Sequence, residues 1–320
     1  MNVREAVLRA ERRIRPYIRE TPLEYSFTLS EFAGCNVFLK LENLQFTGSF
    51  KVRGAVNRLL TLNANERANG VVTASTGNHG MAVAYGLKQL GIEGVVYVPE
   101  NASSQKVEML GYYGAGIRFH GQECAEAESY ARREARRRGS VYISPYNDPE
   151  VVAGQGTIAV ELLRQLDHVD FVFASVGGGG LISGIAGYLK EVNAGTRIIG
   201  CLPRNSPTMA ESIKAGRIVE TRILPTLSDG TAGGIEPGAI TFDLCSRYVD
   251  DWALVTEDEI QEAMKLIFER HRLVVEGAAG VSVASFLRAR DVFEGDSGVN
   301  VVLIVCGGNV DVPTFKQIIL

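Results

Sequence analysis

The chain has 320 residues, 46% hydrophobic and 22% charged, an ordinary globular composition with room for one large or two medium domains. Its 33 basic and 37 acidic residues leave a net charge of −4, which argues against a surface built for nucleic acid or an anionic membrane. No apolar run approaches the ~20 residues of a membrane span, and the five scattered cysteines have neither zinc spacing nor the even count of a disulfide framework, so a reducing cytoplasm is expected.

Residues 1–16 read as a charged amphipathic helix rather than a signal peptide. Short apolar runs then alternate with amphipathic stretches. Strands are expected at Val37–Leu41, Gly70–Ser75, Gly94–Pro99, Ile117–His120, Val141–Ser144, Phe171–Val176, Arg197–Leu202, Trp252–Thr256 and Asn300–Cys306. Helices are expected at Gly80–Leu90, Ser103–Tyr113, Ala125–Arg138, Pro149–Leu166, Leu181–Val192, Thr256–His271 and Gly277–Arg290. Buried β-branched runs alternating with helices mean an α/β fold with mainly parallel sheet. The arginines between Arg132 and Arg138 are broken by Glu134 and read as a solvated helix face.

One further helix begins after Gly48-Ser49, with Ser49 as its cap and Val52, Val56, Leu59 and Leu60 on its apolar face. Lys51 lies in that start, between Phe50 and Val52. It is either a solvated side chain, the commoner case, or a partly desolvated amine whose lowered pKa suits Schiff-base chemistry.

In α/β folds ligands sit beyond the carboxyl ends of strands, and three loops there stand out. Thr73 to Gly80 runs from a strand end into a helix, as either a capped turn or an anion site. Ser175 to Leu181 carries four consecutive glycines, Gly177 to Gly180, which let the backbone close on a phosphate and aim N–H groups at it. This loop is neither a dinucleotide fingerprint nor a Walker A loop, so a short phosphate ester fits it better than a nucleotide. In the third loop, Val305 to Asn309, Cys306 is either an inert core thiol or a weak hydrogen-bond partner for a ligand.

Lys40-Leu41-Glu42-Asn43-Leu44-Gln45 followed by Thr47-Gly48-Ser49-Phe50-Lys51-Val52-Arg53-Gly54-Ala55 resembles the lysine motif of fold-type II pyridoxal-phosphate enzymes, in the threonine/serine dehydratase and serine racemase branch. The likeness continues through Ser75-Thr76-Gly77-Asn78-His79-Gly80, Val152 to Thr157, the four-glycine loop, Ser228-Asp229-Gly230, Val255 to Ile260, Glu276 and Cys306 to Asn309, in the family's order.

The resemblance implies two open, mainly parallel twisted sheets with flanking helices, like the tryptophan synthase β fold. A large cofactor-binding domain would comprise residues 1–47 and 148–320, and a small domain residues 48–147. Lys51 would hold pyridoxal 5'-phosphate as a Schiff base and act as the base at the substrate Cα. Phe50 would lie against the ring, Asn78 would meet the ring hydroxyl, and Cys306, usually Ser in relatives, would face the ring nitrogen. Gly177, Gly178, Gly179, Gly180 and the N–H of Leu181 would bind the phosphate. Ser75, Thr76, Asn78 and His79 would hold the substrate carboxylate, and Glu276 would sit near the cofactor. The implied reaction is β-elimination from a β-hydroxy amino acid, by a homodimer or homotetramer without a C-terminal regulatory domain.

Two positions depart from the racemase pattern. Metal-dependent relatives carry acidic residues where this chain has Leu202 and Thr208, so no metal site is expected. Thr76 stands where racemases usually have Ser, a catalytic residue acting on the face opposite the lysine, and threonine dehydratases often Ala; the resemblance thus makes Thr76 a second catalytic candidate beside Lys51. The alternatives are therefore racemisation, β-replacement, or dehydration of an unusual substrate such as those of hydroxyectoine-type catabolism. From a different class comes a non-catalytic module that binds a phosphorylated small molecule.

Overall fold

The computed structural model describes residues 1–293 and 298–320. Its strands are β1 Leu23–Tyr25, β2 Asn36–Leu41, β3 Val71–Ala74, β4 Gly94–Val98, β5 Gly116–Phe119, β6 Val141–Tyr142, β7 Phe171–Ser175, β8 Arg197–Pro203, β9 Asp251–Val255 and β10 Asn300–Val305. They form a six-stranded sheet in the order β1-β2-β10-β7-β8-β9 and a four-stranded sheet in the order β5-β4-β3-β6. Every pairing is parallel except β1 with β2.

Around the sheets lie α1 Val3–Ile14, α2 Phe27–Ala33, α3 Lys51–Leu60, α4 Ala64–Asn69, α5 Asn78–Leu90, α6 Ser104–Tyr112 and α7 Cys124–Arg138. They are followed by α8 Pro149–Gln165, α9 Gly180–Val192, α10 Thr208–Ala215, α11 Ile240–Tyr248, α12 Glu257–His271, α13 Gly277–Ala289 and α14 Val312–Ile319. No helix among the described residues is long and apolar enough to cross a membrane.

The expected strands and long helices are all present, with ends moved by one or two residues. The additions are short. β1 is a three-residue edge strand, too brief to show alternation. α2, α4 and α14 run six to eight residues, but their caps were readable: Ser26 and Gly34 bracket α2, Asn63 and Glu66 form a capping box on α4, and Asp311 caps α14.

Ser49 does not cap α3. Phe50 holds the N-cap position, without a side-chain cap bond. The end of β10 explains why: Ser49 pairs antiparallel with Gly307, and the Phe50 N–H donates to the Cys306 carbonyl at 3.0 Å. A backbone drawn into a bridge cannot also turn its hydroxyl onto the first helical turn. The arginines of α7 do form an ion-paired face: Arg137 and Arg138 meet Glu134, and Arg132 meets Glu128 and Glu236.

The larger core surrounds the six-stranded sheet. A second core joins Val52, Val56 and Leu59 of α3 to Val83 and Leu87 of α5, to Val71, and to Ile14 and Ile18 near the N-terminus. Helix α3 also crosses α8 in backbone contact. A Cβ on Gly154 would stand 2.6 Å from the Arg53 carbonyl oxygen, and one on Gly54 would meet Gln155. The Gln155 Oε1 accepts the Gly54 N–H at 3.1 Å across this crossing.

Beside the crossing lies a buried ionic cluster. Arg53 is fully buried, and all five of its N–H donors are used. Nε and Nη2 donate to Glu42 at 2.7 and 2.8 Å, Nη1 and Nη2 to Glu161 at 2.7 and 2.9 Å, and Nη1 to Thr157 at 3.0 Å. Lys40 Nζ, also fully buried, donates to Glu161 at 2.6 Å, and Arg15 reaches the same carboxylate at 2.8 Å. Burial alone would raise the pKa of Glu161, but the charges and hydrogen bonds of Arg53 and then Lys40 hold it at about 2, against an ordinary 4.5.

A depressed carboxylate pKa contributes stability that is present above the ordinary value and lost as pH falls through the folded one. Acid unfolding should therefore develop between about pH 4.5 and 2 with a Glu161 component. Glu161→Gln leaves Arg53 and Lys40 short of a counter-charge and should cost about 3–5 kcal/mol in urea denaturation. An unchanged midpoint would show that the cluster does not secure α3.

Candidate active site

One cavity of about 750 Å³ opens where the carboxyl ends of strands from both sheets meet, and every site residue named from the sequence lines it. Lys51 is the first residue of α3, placed there by the Ser49–Gly307 bridge and the buried Arg53 behind it. Its Nζ donates to the Pro145 carbonyl at 2.9 Å and stands 5.3 Å from the Phe50 ring centroid. Burial lowers the amine's pKa to about 8, with Cys306 and Glu276 pulling the other way. At pH 7 about a tenth is thus the free, nucleophilic base, far more than for a lysine at its ordinary value of 10.5.

β7 leads through Ser175 into Gly177 to Gly180, where α9 begins. A Cβ on Gly178 or Gly180 would run into Tyr146, and one on Gly177 into Thr231, so the loop is pressed between two walls. Gly179 has φ +85°, which glycine adopts without strain. The N–H groups of the first turn of α9, including Leu181, have no intrahelical acceptor and lie at the positive end of the helix. Backbone donors with no room for side chains suit a phosphate ester.

β3 leads through Ser75 into α5. Ser75 Oγ accepts the Gly77 N–H at 3.2 Å, and no side chain caps this helix. The capped-turn reading therefore fails here. Thr76 and Cys124, the latter at the start of α7, both line the cavity. His79 Nε2 donates to the Ile143 carbonyl at 3.0 Å, which leaves its backbone rather than its ring for a ligand. Burial, helped by the Lys51 charge, lowers the His79 pKa to about 3, so the ring is neutral.

Glu276 is the N-cap residue of α13. Both its carboxylate oxygens accept from Asn78 Nδ2, at 2.9 and 3.0 Å, and Oε2 also accepts the Asn309 N–H at 3.2 Å. Burial raises its pKa to about 7 despite these donors and Lys51. Cys306, at the end of β10, is buried, and its Sγ accepts from Ser175 Oγ at 3.4 Å. Burial and then the Glu276 charge push the thiol pKa up, so Cys306 stays protonated and can offer only a neutral S–H.

Several cavity residues were not read from the sequence. Pro145 and Tyr146 lie just past β6, far from any glycine-rich turn, and only the fold brings them to Lys51 and the Gly177 loop. Lys106 of α6 faces Asp229 at 3.4 Å across the cavity. Asp229 sits in the quoted Ser-Asp-Gly motif, so its place was open to inference; Lys106 had no such signal. Leu202 is buried in β8, and the Thr208 hydroxyl is engaged by Thr221 and the Gly233 carbonyl. Among the described residues no group of three or more His, Cys, Asp or Glu is placed to hold a metal ion.

The residues fit pyridoxal phosphate. A desolvated lysine, an uncharged backbone phosphate cradle and a neutral thiol share one cavity of suitable size, with a buried carboxyl and amide beside them.

A family model described as "Pyridoxal-phosphate dependent enzyme" matches residues 14–307. The L-threonine ammonia-lyase of Thermotoga maritima is 40% identical over 315 residues, covering 98% of this chain and 77% of that protein. The catabolic L-threonine dehydratase TdcB of Staphylococcus aureus is 40% identical over 311 residues, covering 97% and 90%. Among solved structures, the processed form of threonine deaminase isoform 2 from Solanum lycopersicum matches with a TM-score of 0.94 at 32% identity, covering 99% of this chain and 86% of that one. Serine racemase from Dictyostelium discoideum matches with a TM-score of 0.89 at 35% identity, covering 96% and 98%. Matched over nearly its whole length, the chain belongs to the pyridoxal-phosphate dependent enzyme family.

Proposed function

We propose that the protein is an ammonia-lyase that eliminates water from a β-hydroxy amino acid such as threonine or serine, releasing a 2-oxo acid and ammonia. The observation that carries this reading is the pairing of Lys51, a half-buried lysine whose amine has its pKa lowered to about 8, with Cys306, a buried neutral thiol, in one cavity. Bound pyridoxal phosphate supplies an electron-withdrawing conjugated system that makes the substrate Cα–H acidic. A neutral partner at the ring nitrogen moderates that sink and favours reactions whose β-leaving group departs soon after deprotonation.

In this reading the Gly177 loop and the Leu181 N–H hold the phosphate, and Phe50, Asn78 and Glu276 flank the ring. The Ser75–His79 turn presents hydroxyl and backbone donors to the substrate carboxylate. Lys51, as a free amine, would take the Cα proton. The β-hydroxyl leaves with a proton as water, and the released enamine is hydrolysed to oxo acid and ammonia. Thr76 places a hydroxyl in the cavity, and a proton returned from there to Cα would give the D-isomer as a side product.

Purified protein should show the band of a lysine-bound cofactor at about 410–420 nm, and Lys51→Ala should abolish it. Oxo-acid release should be assayed with serine, threonine, 3-hydroxyaspartate and bulkier β-hydroxy amino acids. A protein that binds the cofactor but releases oxo acid from none of them is not this lyase. Cofactor uptake by the apoenzyme requires the unprotonated amine, so its rate should rise with pH through a midpoint near 8. A midpoint near the ordinary lysine value of 10.5 would remove the desolvation argument. Thr76→Ala should leave oxo-acid formation within about threefold of wild type while suppressing D-isomer formation, followed by chiral chromatography.

A further inference from the structure

Asn309 has no role in the reaction outlined above, yet it touches three parts of the site. Its backbone N–H donates to Glu276 Oε2 at 3.2 Å. Its side-chain Nδ2 donates to the Thr47 carbonyl at 2.8 Å and to Asn78 Oδ1 at 2.7 Å. Both partners of that nitrogen are acceptors, so the Asn309 amide can face only one way. We propose that Asn309 is a positioning residue that fixes the amide orientation of Asn78 and so keeps a hydrogen-bond donor on Glu276.

Asn78 Oδ1 is occupied by Asn309, and this turns Nδ2 onto both oxygens of Glu276. The reversed amide would set a carbonyl oxygen against the carboxylate and an NH₂ against the Asn309 NH₂, losing the hydrogen bonds to both partners. The chain of bonds is thus directional from the Thr47 carbonyl through Asn309 and Asn78 to Glu276.

Two glycines leave room for it. A Cβ on Gly48 would stand 2.5 Å from Asn309 Oδ1, and one on Gly307 2.7 Å from the carboxylate carbon of Glu276. Thr47 and Gly48 lie directly ahead of the Lys51 motif, so the same side chain also ties the β10 loop to the approach to α3. The titratable groups facing Glu276 are Lys51, Asp229 and Cys306. None of them bonds to Asn309, so the side-chain link from Asn309 to Glu276 runs through Asn78, while the backbone donor of Asn309 remains when its side chain is removed.

The inference rests on the placement of Asn78 and Glu276 in the cofactor site, and its test involves no turnover. The holoenzyme labelled with [δ-¹³C]glutamate is titrated by NMR, with the Glu276 resonance assigned by its loss in Glu276→Gln. Asn309→Ala should raise the Glu276 midpoint by about half a pH unit or more, because the carboxylate loses a fixed donor. Asn78→Ala should raise it by a similar amount, and the double variant should show no further shift. Asn309→Ser, which keeps a small donor, should lie between wild type and Asn309→Ala, and it stands in if the alanine variant does not fold. An unshifted midpoint in a folded Asn309 variant would overturn the proposal, as would shifts that add in the double variant. Failure of the lyase reading would appear separately, in the oxo-acid assay.

Discussion

The placement of Lys51 depends on a charge that is nowhere near water. Arg53 lies two residues further along α3, fully buried between Glu42 and Glu161 with every donor engaged. A buried guanidinium is tolerated only when paired with good geometry, and here two carboxylates meet it bidentately. The cluster joins β2, α3, α8 and the segment after α1, so the start of α3 cannot shift without separating buried charges. A hydrophobic replacement of similar volume could match its stability; the fork adds direction, holding the helix at one angle and one depth.

Dryness then sets the chemistry. Burial pushes an amine down and a carboxyl up, so Lys51 falls to about 8 while Glu276 rises to about 7. Two groups ordinarily several units apart come to titrate close together, near neutral pH. Cys306 moves in the same sense as Glu276 and is thereby confined to being a neutral donor. The glycines of the Gly177 loop leave no room for side chains there, so what that loop presents to the cavity is backbone N–H groups and the positive end of α9.

Much of this was legible in the chain. Val301 to Val305 could only be a buried strand, and four consecutive glycines after Phe171–Ser175 marked a ligand loop. The failures have physical causes. Ser49 looked like a cap because Gly-Ser before an apolar helical pattern usually is one, yet strand β10, some 250 residues away in sequence, claims its backbone. β1 holds only three residues and borrows its register from β2, so no local pattern announced it. A contact outside the reach of local spacing, though not a failed expectation, is that of His79, which sits in the expected turn with its ring on the Ile143 carbonyl.

The sequence by itself determined the alternation of strand and helix, the four-glycine loop and the lysine motif, because each rests on local periodicity or on the absence of a Cβ. The resemblance carried by those motifs extended them to a cofactor and a reaction. Tertiary structure alone decided which groups are desolvated, and hence which pKa values move. It also brought Pro145, Tyr146 and Asn309 to the site and gave the amides of Asn78 and Asn309 their direction. Those properties depend on contacts between residues far apart in the chain, and a pattern read along the backbone contains no information about what lies across it.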